Sequence, residues 1–302
     1  MYFIIYGFFY LISLLPFAVL YFISDGIYFF IFYVFGYRRK IVVANLKIAF
    51  PGKPDKELQN ISKQFYHNLA DTFVEIMKLI SMSDKKFHKR CRGDFSVVEN
   101  LISQGKNVQI HTGHQFNWEF GGLFMSKVIK TIPTYAIYMP IKNTAIEKLF
   151  LKIREKYGAI FIKATEFKEK REQIFKDRFV FILAADQNPG KPAAAYWQNY
   201  FSRPAPFITG PEIGAIKNNT AVVFVRSRIL KRGHYVLECK LCTEDGATTC
   251  QGEITRAFRN FLEDIITEEP HNYLWTHRRW KWDYKKEYHD KWIDVQRAFN
   301  YR

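Results

Sequence analysis

The sequence predicts an α/β fold: a mostly parallel central sheet flanked by helices, with an apolar helix at its N-terminus. Three observations carry this. From Gly105 onward, short apolar runs alternate with helix-like stretches. Phe179 to Ala185 is a near-continuous apolar run, as a central strand covered on both faces requires. Residues 2–24 are almost wholly apolar, whereas the chain as a whole is 25% charged. At 302 residues the chain can bury a sizeable core. No repeat, low-complexity linker or second-domain boundary interrupts the body.

The apolar start is long enough to span a bilayer, which takes about 20 residues of helix. Pro16 should kink it, and Tyr2, Tyr6 and Tyr21 lie near its ends, where aromatic rings suit the interface. A second apolar run, Ile27 to Phe35, follows Asp25-Gly26; it is too short to span and should lie in the interface. A cleaved leader fits less well, since no basic residues precede the run. Arg38-Arg39-Lys40 follows at once, so the positive-inside bias keeps the body cytoplasmic. The competing reading is a buried hairpin of the core. The division expected is thus 1–36 as anchor and 37–302 as body.

Residues 41–92 read as helical. Val43 to Phe50 stops at Pro51-Gly52. Asp55 to Ile80 carries Leu58, Ile61, Phe65, Leu69, Phe73, Ile76 and Leu79 at helical spacing, a core stripe. Val97 to Gln104 is a short helix. Val108 to Ile110 is a buried strand, broken by Thr112-Gly113, and Asn117 to Lys127 a helix. Thr134 to Met139 is a strand, and Thr144 to Tyr157 a helix with Thr144 as cap and Gly158 as stop. Ala159 to Ile162 is a strand and Glu166 to Lys176 a polar helix. The strand Phe179 to Ala185 ends in Asp186-Gln187-Asn188, and a loop runs through Pro204. Thr209 to Lys217 and Gly252 to Thr267 are helices. Ala221 to Arg228 and Tyr235 to Thr243 are strands joined around Gly233-His234. Tyr273 to Trp282 is dense in aromatic and basic residues.

Net charge is +16, and Asp25 is the sole charge in residues 1–36. The body is therefore one unit more positive than the chain, which favours anionic partners: nucleic acid, anionic lipid or an acidic protein. Cys239-Lys-Leu-Cys242 has metal or redox spacing, but it continues an alternating strand and no second pair matches it. Four unpatterned thiols suit a reducing compartment.

His114 and Glu119 sit where a strand hands over to a helix, the usual place for chemistry in an open α/β sheet. With His114 before the helix and Glu119 in its first turn, the carboxylate can orient the imidazole and leave its other nitrogen as a base. By spacing alone, a capping histidine is the commoner alternative. His111-x-x-His114 with Glu119 could also supply three ligands to a metal, although His111 lies on the apolar strand and reads as core.

Gly113-His114-Gln-Phe-Asn117-Trp118-Glu119 resembles the His-x4-acid motif of the lysophospholipid acyltransferase superfamily, and more narrowly that of the bacterial lipid A late acyltransferases. The resemblance extends over nearly the whole chain. Asn45-Leu46…Phe50-Pro51, Tyr138-Met139-Pro140…Asn143 and Arg154-Glu-Lys-Tyr-Gly158 are similar to its segments. So are Asp186-Gln187-Asn188, Phe201…Pro204-Ala205…Thr209-Gly210-Pro211 and Leu274-Trp275-x-His277-Arg278-Arg279-Trp280. Phe116 replaces the usual Gly and Met139 the usual Arg; both positions are expected to bear on the acceptor.

The resemblance implies an enzyme at the bacterial cytoplasmic (inner) membrane, single-pass or monotopic, with its catalytic domain facing the cytoplasm. It would move a fatty acyl chain from acyl carrier protein, or another acyl thioester donor, to a hydroxyl of a lipid A precursor or related glycolipid. His114 would be the base and Glu119 its orienter. Asn117, Arg154, Asp186, Gln187, Arg278 and Arg279 are the candidate substrate-binding residues. Arg154 or backbone N–H groups of the turn are candidates for the oxyanion; Arg154 equally suits a phosphate or a helix neighbour, and Asp186 a structural role in its loop. No cofactor, metal or acyl-enzyme is implied. The acidic carrier protein and a phosphorylated, anionic lipid acceptor both suit the basic body. No nucleic-acid motif is visible. The remaining alternatives are another acceptor (an aminoacyl lipid, a mannoside or a lysophospholipid) and a non-catalytic lipid-binding homologue.

Overall fold

A computed structural model describes residues 2–294, so the far end of the expected 37–302 body lies outside the described residues. Two apolar helices lead: α1 (Tyr2–Leu14) and α2 (Phe17–Phe29), the latter continued by a π-helical turn, Phe30–Val34. Then come α3 (Arg39–Ala49), α4 (Asp55–Lys78), α5 (Asp84–Arg90), β1 (Cys91–Gly93), α6 (Ser96–Ser103), β2 (Val108–Thr112) and α7 (Trp118–Val128). The alternation continues through β3 (Thr134–Tyr138), α8 (Thr144–Arg154), β4 (Ile160–Lys163), α9 (Phe167–Ile174) and β5 (Val180–Ala184). A hairpin of β6 (Tyr196–Tyr200) and β7 (Arg203–Phe207) precedes α10 (Gly210–Lys217), β8 (Ala221–Lys231), β9 (His234–Thr243) and α11 (Glu253–Glu268).

Seven strands form the main sheet in the order β1-β9-β8-β2-β5-β3-β4. Five run one way, from β8 to β4, and β9 with β1 runs the other. The mostly parallel sheet flanked by helices is the predicted class. Its two faces are buried in separate apolar clusters. Val222 and Phe224 of β8 join α3, α4 and α11, while Val223 and Val225 join Val108 and Ile110 of β2 with α6, α7 and α8. Period-2 alternation along β8 produces this division. Cys239 packs on one cluster and Cys242 on the other, so the Cys-x-x-Cys pair belongs to a strand and points to opposite faces.

The N-terminal segment divides differently from the expected 2–24 and 27–35. The break falls at Pro16, whose ring and missing N–H end a helix, and the chain then runs helically through Asp25-Gly26. An internal Gly costs a helix only about 1 kcal/mol, and Arg232 pairs with the Asp25 carboxylate. Among the described residues, Phe17–Val34 is therefore the one helix long and apolar enough to cross a membrane. The 13 residues of α1 reach about 20 Å, short of the ~30 Å of a bilayer core. Both helices pack on α4, and α1 also on α8. Their other side presents Phe3, Phe8, Leu11, Phe22, Phe30 and Phe35 to the outside.

Three further expectations change. Phe73 is 47% exposed, not core: past Leu69 the buried face of α4 turns to Asp71, Thr72, Val74 and Glu75, under α1 and α2. Asn143, not Thr144, caps α8, accepting from the N–H groups of Ala145 and Ile146. The loop expected between Asp186 and Pro204 contains the β6–β7 hairpin. Pro204 and Pro206 hide that strand from pattern reading, yet prolines are tolerated in an edge strand that needs no further N–H.

Candidate active site

In the β2–β5 pairing Thr112 lies opposite Ala184. Two residues beyond each, His114 and Asp186 meet. Asp186 Oδ1 is 2.7 Å from His114 Nδ1, and Oδ2 accepts the His114 backbone N–H at 2.9 Å. The carboxylate is 1% exposed and the imidazole 21%. Gly113 permits the approach: a Cβ there would sit 2.9 Å from Leu262 Cδ2 and 3.6 Å from Asp186 Oδ2.

The rest of the turn is held residue by residue. Leu274 N–H donates to the His114 carbonyl at 3.1 Å, and Phe116 N–H to Asn272 Oδ1 at 2.9 Å. Ser227 Oγ donates to the Phe116 carbonyl at 3.0 Å, and Asn272 returns a bond to the Ser227 carbonyl. Asn117 caps α7, its Oδ1 accepting from Glu119 and Phe120 N–H. The Trp118 ring lies edge-on to the imidazole, centroids 5.8 Å apart.

These contacts correct the expected arrangement. The carboxylate on His114 belongs to Asp186, and Glu119 instead binds Arg154 through both oxygens, with Nε to Oε2 at 2.9 Å and Nη2 to Oε1. The rings of Phe150 and Phe161 flank that guanidinium. Backbone N–H groups of residues 114, 115, 116, 119 and 120 are all engaged, by Asp186, Gly113, Asn272 and Asn117, which leaves none of these five free as an oxyanion donor. Asn117 is fully buried and structural, not open to a substrate. Phe116 is also fully buried, against Phe65 and Trp118, so it packs the core behind the turn and does not line an acceptor site. Met139 is 72% exposed. His111 sits between Phe224 and Phe258, where burial pushes its pKa down to about 3: a core histidine, as read from the strand.

With Nδ1–H donating to Asp186, the lone pair of the neutral imidazole falls on Nε2. There Gln187 Nε2 approaches to 3.1 Å, as donor. Burial lowers the His114 pKa, but the charge and hydrogen bond of Asp186 outweigh it and hold His114 above the ordinary histidine value. Glu119 adds to the rise and Arg154 opposes it. Burial would raise Asp186; His114 and its backbone N–H hold it below the usual carboxylate range instead.

Asn188 continues the loop into a second feature. Its N–H donates to His277 Nε2 at 3.2 Å. Burial and Arg279 push His277 down to about 4, so it is neutral and accepts. Beyond Asn188 opens a cleft of about 330 Å³ with Arg38, Arg278, Lys281 and Trp282 in its walls. Arg278 is exposed there. Arg279, expected to meet lipid as well, is 1% exposed; it bonds Asn188 Oδ1 and lies over Tyr200 and Phe207. Sequence reading missed Glu75, Ser227 and Asn272. None has a motif; each is recognisable only once the fold sets it behind the turn.

Against known proteins, the family model for the bacterial lipid A biosynthesis acyltransferase matches residues 1–282. No curated protein matches. The chain belongs to that family.

Proposed function

We propose that this member of the lipid A acyltransferase family is anchored in a membrane through residues 1–36. It transfers a fatty acyl chain from an acyl carrier protein thioester to a hydroxyl of a lipid A precursor or related glycolipid. One observation carries the reading: His114 gives Nδ1 to a buried carboxylate, keeps its imidazole 21% exposed, and has Nε2 in contact with Gln187 and not with that carboxylate. Such an imidazole is a base of fixed tautomer, its cationic form stabilised from behind.

Nε2 takes the proton of the acceptor hydroxyl as its oxygen bonds to the thioester carbonyl carbon. The carbonyl oxygen becomes an oxyanion, for which Arg154, fixed in direction by Glu119 and acting electrostatically on His114, is the cationic candidate. Collapse breaks the C–S bond, and the imidazolium returns its proton to the departing sulfur. Ester and thiol result, with no acyl-enzyme. The cleft of Arg38, Arg278 and Lys281 suits the anionic headgroup of the acceptor, one loop away from the base. The basic body suits an acidic carrier protein, and the exposed apolar side of α1 and α2 suits lipid.

The test supplies acyl carrier protein thioester and a phosphorylated glycolipid to the full chain in vesicles. Mass spectrometry should find one added acyl ester, absent with His114→Ala. Transfer that survives this variant would overturn the assignment.

A further inference from the structure

Glu75 is a carboxylate with 0% exposure, in the middle of α4. Three donors converge on it. Tyr21 Oη reaches Oε1 at 2.9 Å from α2, Asn117 Nδ2 reaches Oε2 at 2.9 Å from the turn, and Tyr235 Oη reaches Oε2 at 2.6 Å from β9. A buried carboxylate is costly to leave unpaired, so all three donors are held to it. Asn117 is thereby bonded on both sides, its amide nitrogen to Glu75 and its oxygen to the first N–H groups of α7.

The α2 end is just as closely fitted. Arg90 lies over the Phe17 ring and reaches both Tyr21 Oη, at 3.4 Å, and the Gly233 carbonyl, at 3.0 Å. Gly233, at φ +70°, brings the β8–β9 tip so near that a Cβ would stand 1.8 Å from Tyr21 Oη. Ser24 bonds Asp71, Arg232 bridges Asp71 to the Tyr21 carbonyl and Asp25 of α2, and Lys78 caps the carbonyls of Ser13 and Leu15.

We propose that Glu75 is a positioning residue that keys the docked N-terminal helix to the catalytic turn, through the chain Tyr21–Glu75–Asn117. Where α2 sits against α4 then decides where Asn117 holds the start of α7, three residues from His114. Glu75 touches no substrate; it acts through Asn117. This rests on the reading of His114 as the base.

The test uses the full chain in micelles, with Glu75→Leu, Glu75→Gln and Tyr21→Phe. Gln keeps an acceptor for Asn117 and Tyr235. We expect kcat to fall at least tenfold in Glu75→Leu with KM within twofold, to recover within threefold of wild type in Glu75→Gln, and to fall about threefold in Tyr21→Phe. A second readout needs no turnover: the rate at which diethyl pyrocarbonate modifies His114, mapped by mass spectrometry, with exposed His289 as reference. It should rise at least threefold in Glu75→Leu and not in Glu75→Gln. Unchanged kcat and unchanged His114 modification in folded Glu75→Leu would overturn the proposal; should that variant not fold, unchanged values in Tyr21→Phe would do so. An inactive wild type whose His114 modification still responds to Glu75 would count against the acyltransferase reading and leave the linkage standing.

Discussion

Two buried carboxylates serve one turn, and each is paired with a different basic side chain. On the β2–β5 side Asp186 holds an imidazole; on the α7–α8 side Glu119 holds a guanidinium. The first pair joins residues 72 apart in the chain. The second includes the carboxylate that lies closest to His114 in sequence. Motif spacing picks out both groups but not their partners. A histidine at a strand end is met by the residue in register on the neighbouring parallel strand. An acid in the first turn of a helix can equally face the next helix.

The comparison also separates two kinds of failure. Losing the β2–β5 pair should destroy proton transfer; losing the α7–α8 pair should weaken charge stabilisation and the fold together. The largest effect expected is from His114→Ala, a drop in kcat of about 10³-fold or more with sedimentation on vesicles unchanged. Asp186→Asn should follow at about 10²–10³-fold, measured as kcat under saturating donor, because the imidazole loses its tautomer and its counter-charge.

The pH profile sharpens the same contrast. A base works when deprotonated, so kcat/KM rises as pH climbs through the His114 pKa. In the wild type that limb lies above the ordinary histidine value of 6.5. Removing the Asp186 charge takes away the largest raising influence and leaves burial and Arg154 opposed by Glu119 alone, so the limb of Asp186→Asn should shift down. A limb that does not move would break the assignment of Asp186 as the partner.

Glu119→Gln should cost less in rate, about 10–100-fold, but destabilise the fold by about 2–4 kcal/mol in denaturant titrations, since it leaves Arg154 without its counter-charge. Pairing it with Arg154→Met should restore much of that stability and none of the rate. Recovery of both would place Glu119–Arg154 outside the chemistry. The smallest effect is expected from Arg278→Ala: a rise of several-fold in the acceptor KM at constant kcat, since one exposed cation contributes little.

Much of this was legible in the chain. Alternating apolar runs point to the class and most element positions, and the ordered motifs to the region of the candidate site. What escaped depended on three-dimensional neighbours. Asp186 was visible as a loop acid, but only the order β2-β5 makes it the partner of His114. Phe116 looked like a departure at an acceptor site, and its burial against Phe65 of α4 could not be read from its position in the motif. Glu75 carries no signal in the sequence, because a carboxylate on an amphipathic helix ordinarily faces water. Arg278 and Arg279 share a motif and the same expected substrate role, yet in this irregular segment Arg278 is exposed and Arg279 buried.

The polar seam beneath the apolar helices has a preparative consequence. Cutting away residues 1–36 to obtain a detergent-free enzyme would strip Lys78 of two carbonyl acceptors, Asp71 of Ser24, and Glu75 of Tyr21. It would bare a charged trench on α4, not a water-ready surface. Shortened versions should be poorly soluble and misfolded at the catalytic turn. Solubilising this protein is better attempted from outside, by repainting Phe3, Phe8, Phe22 and Phe30 with polar side chains while the helices stay in place.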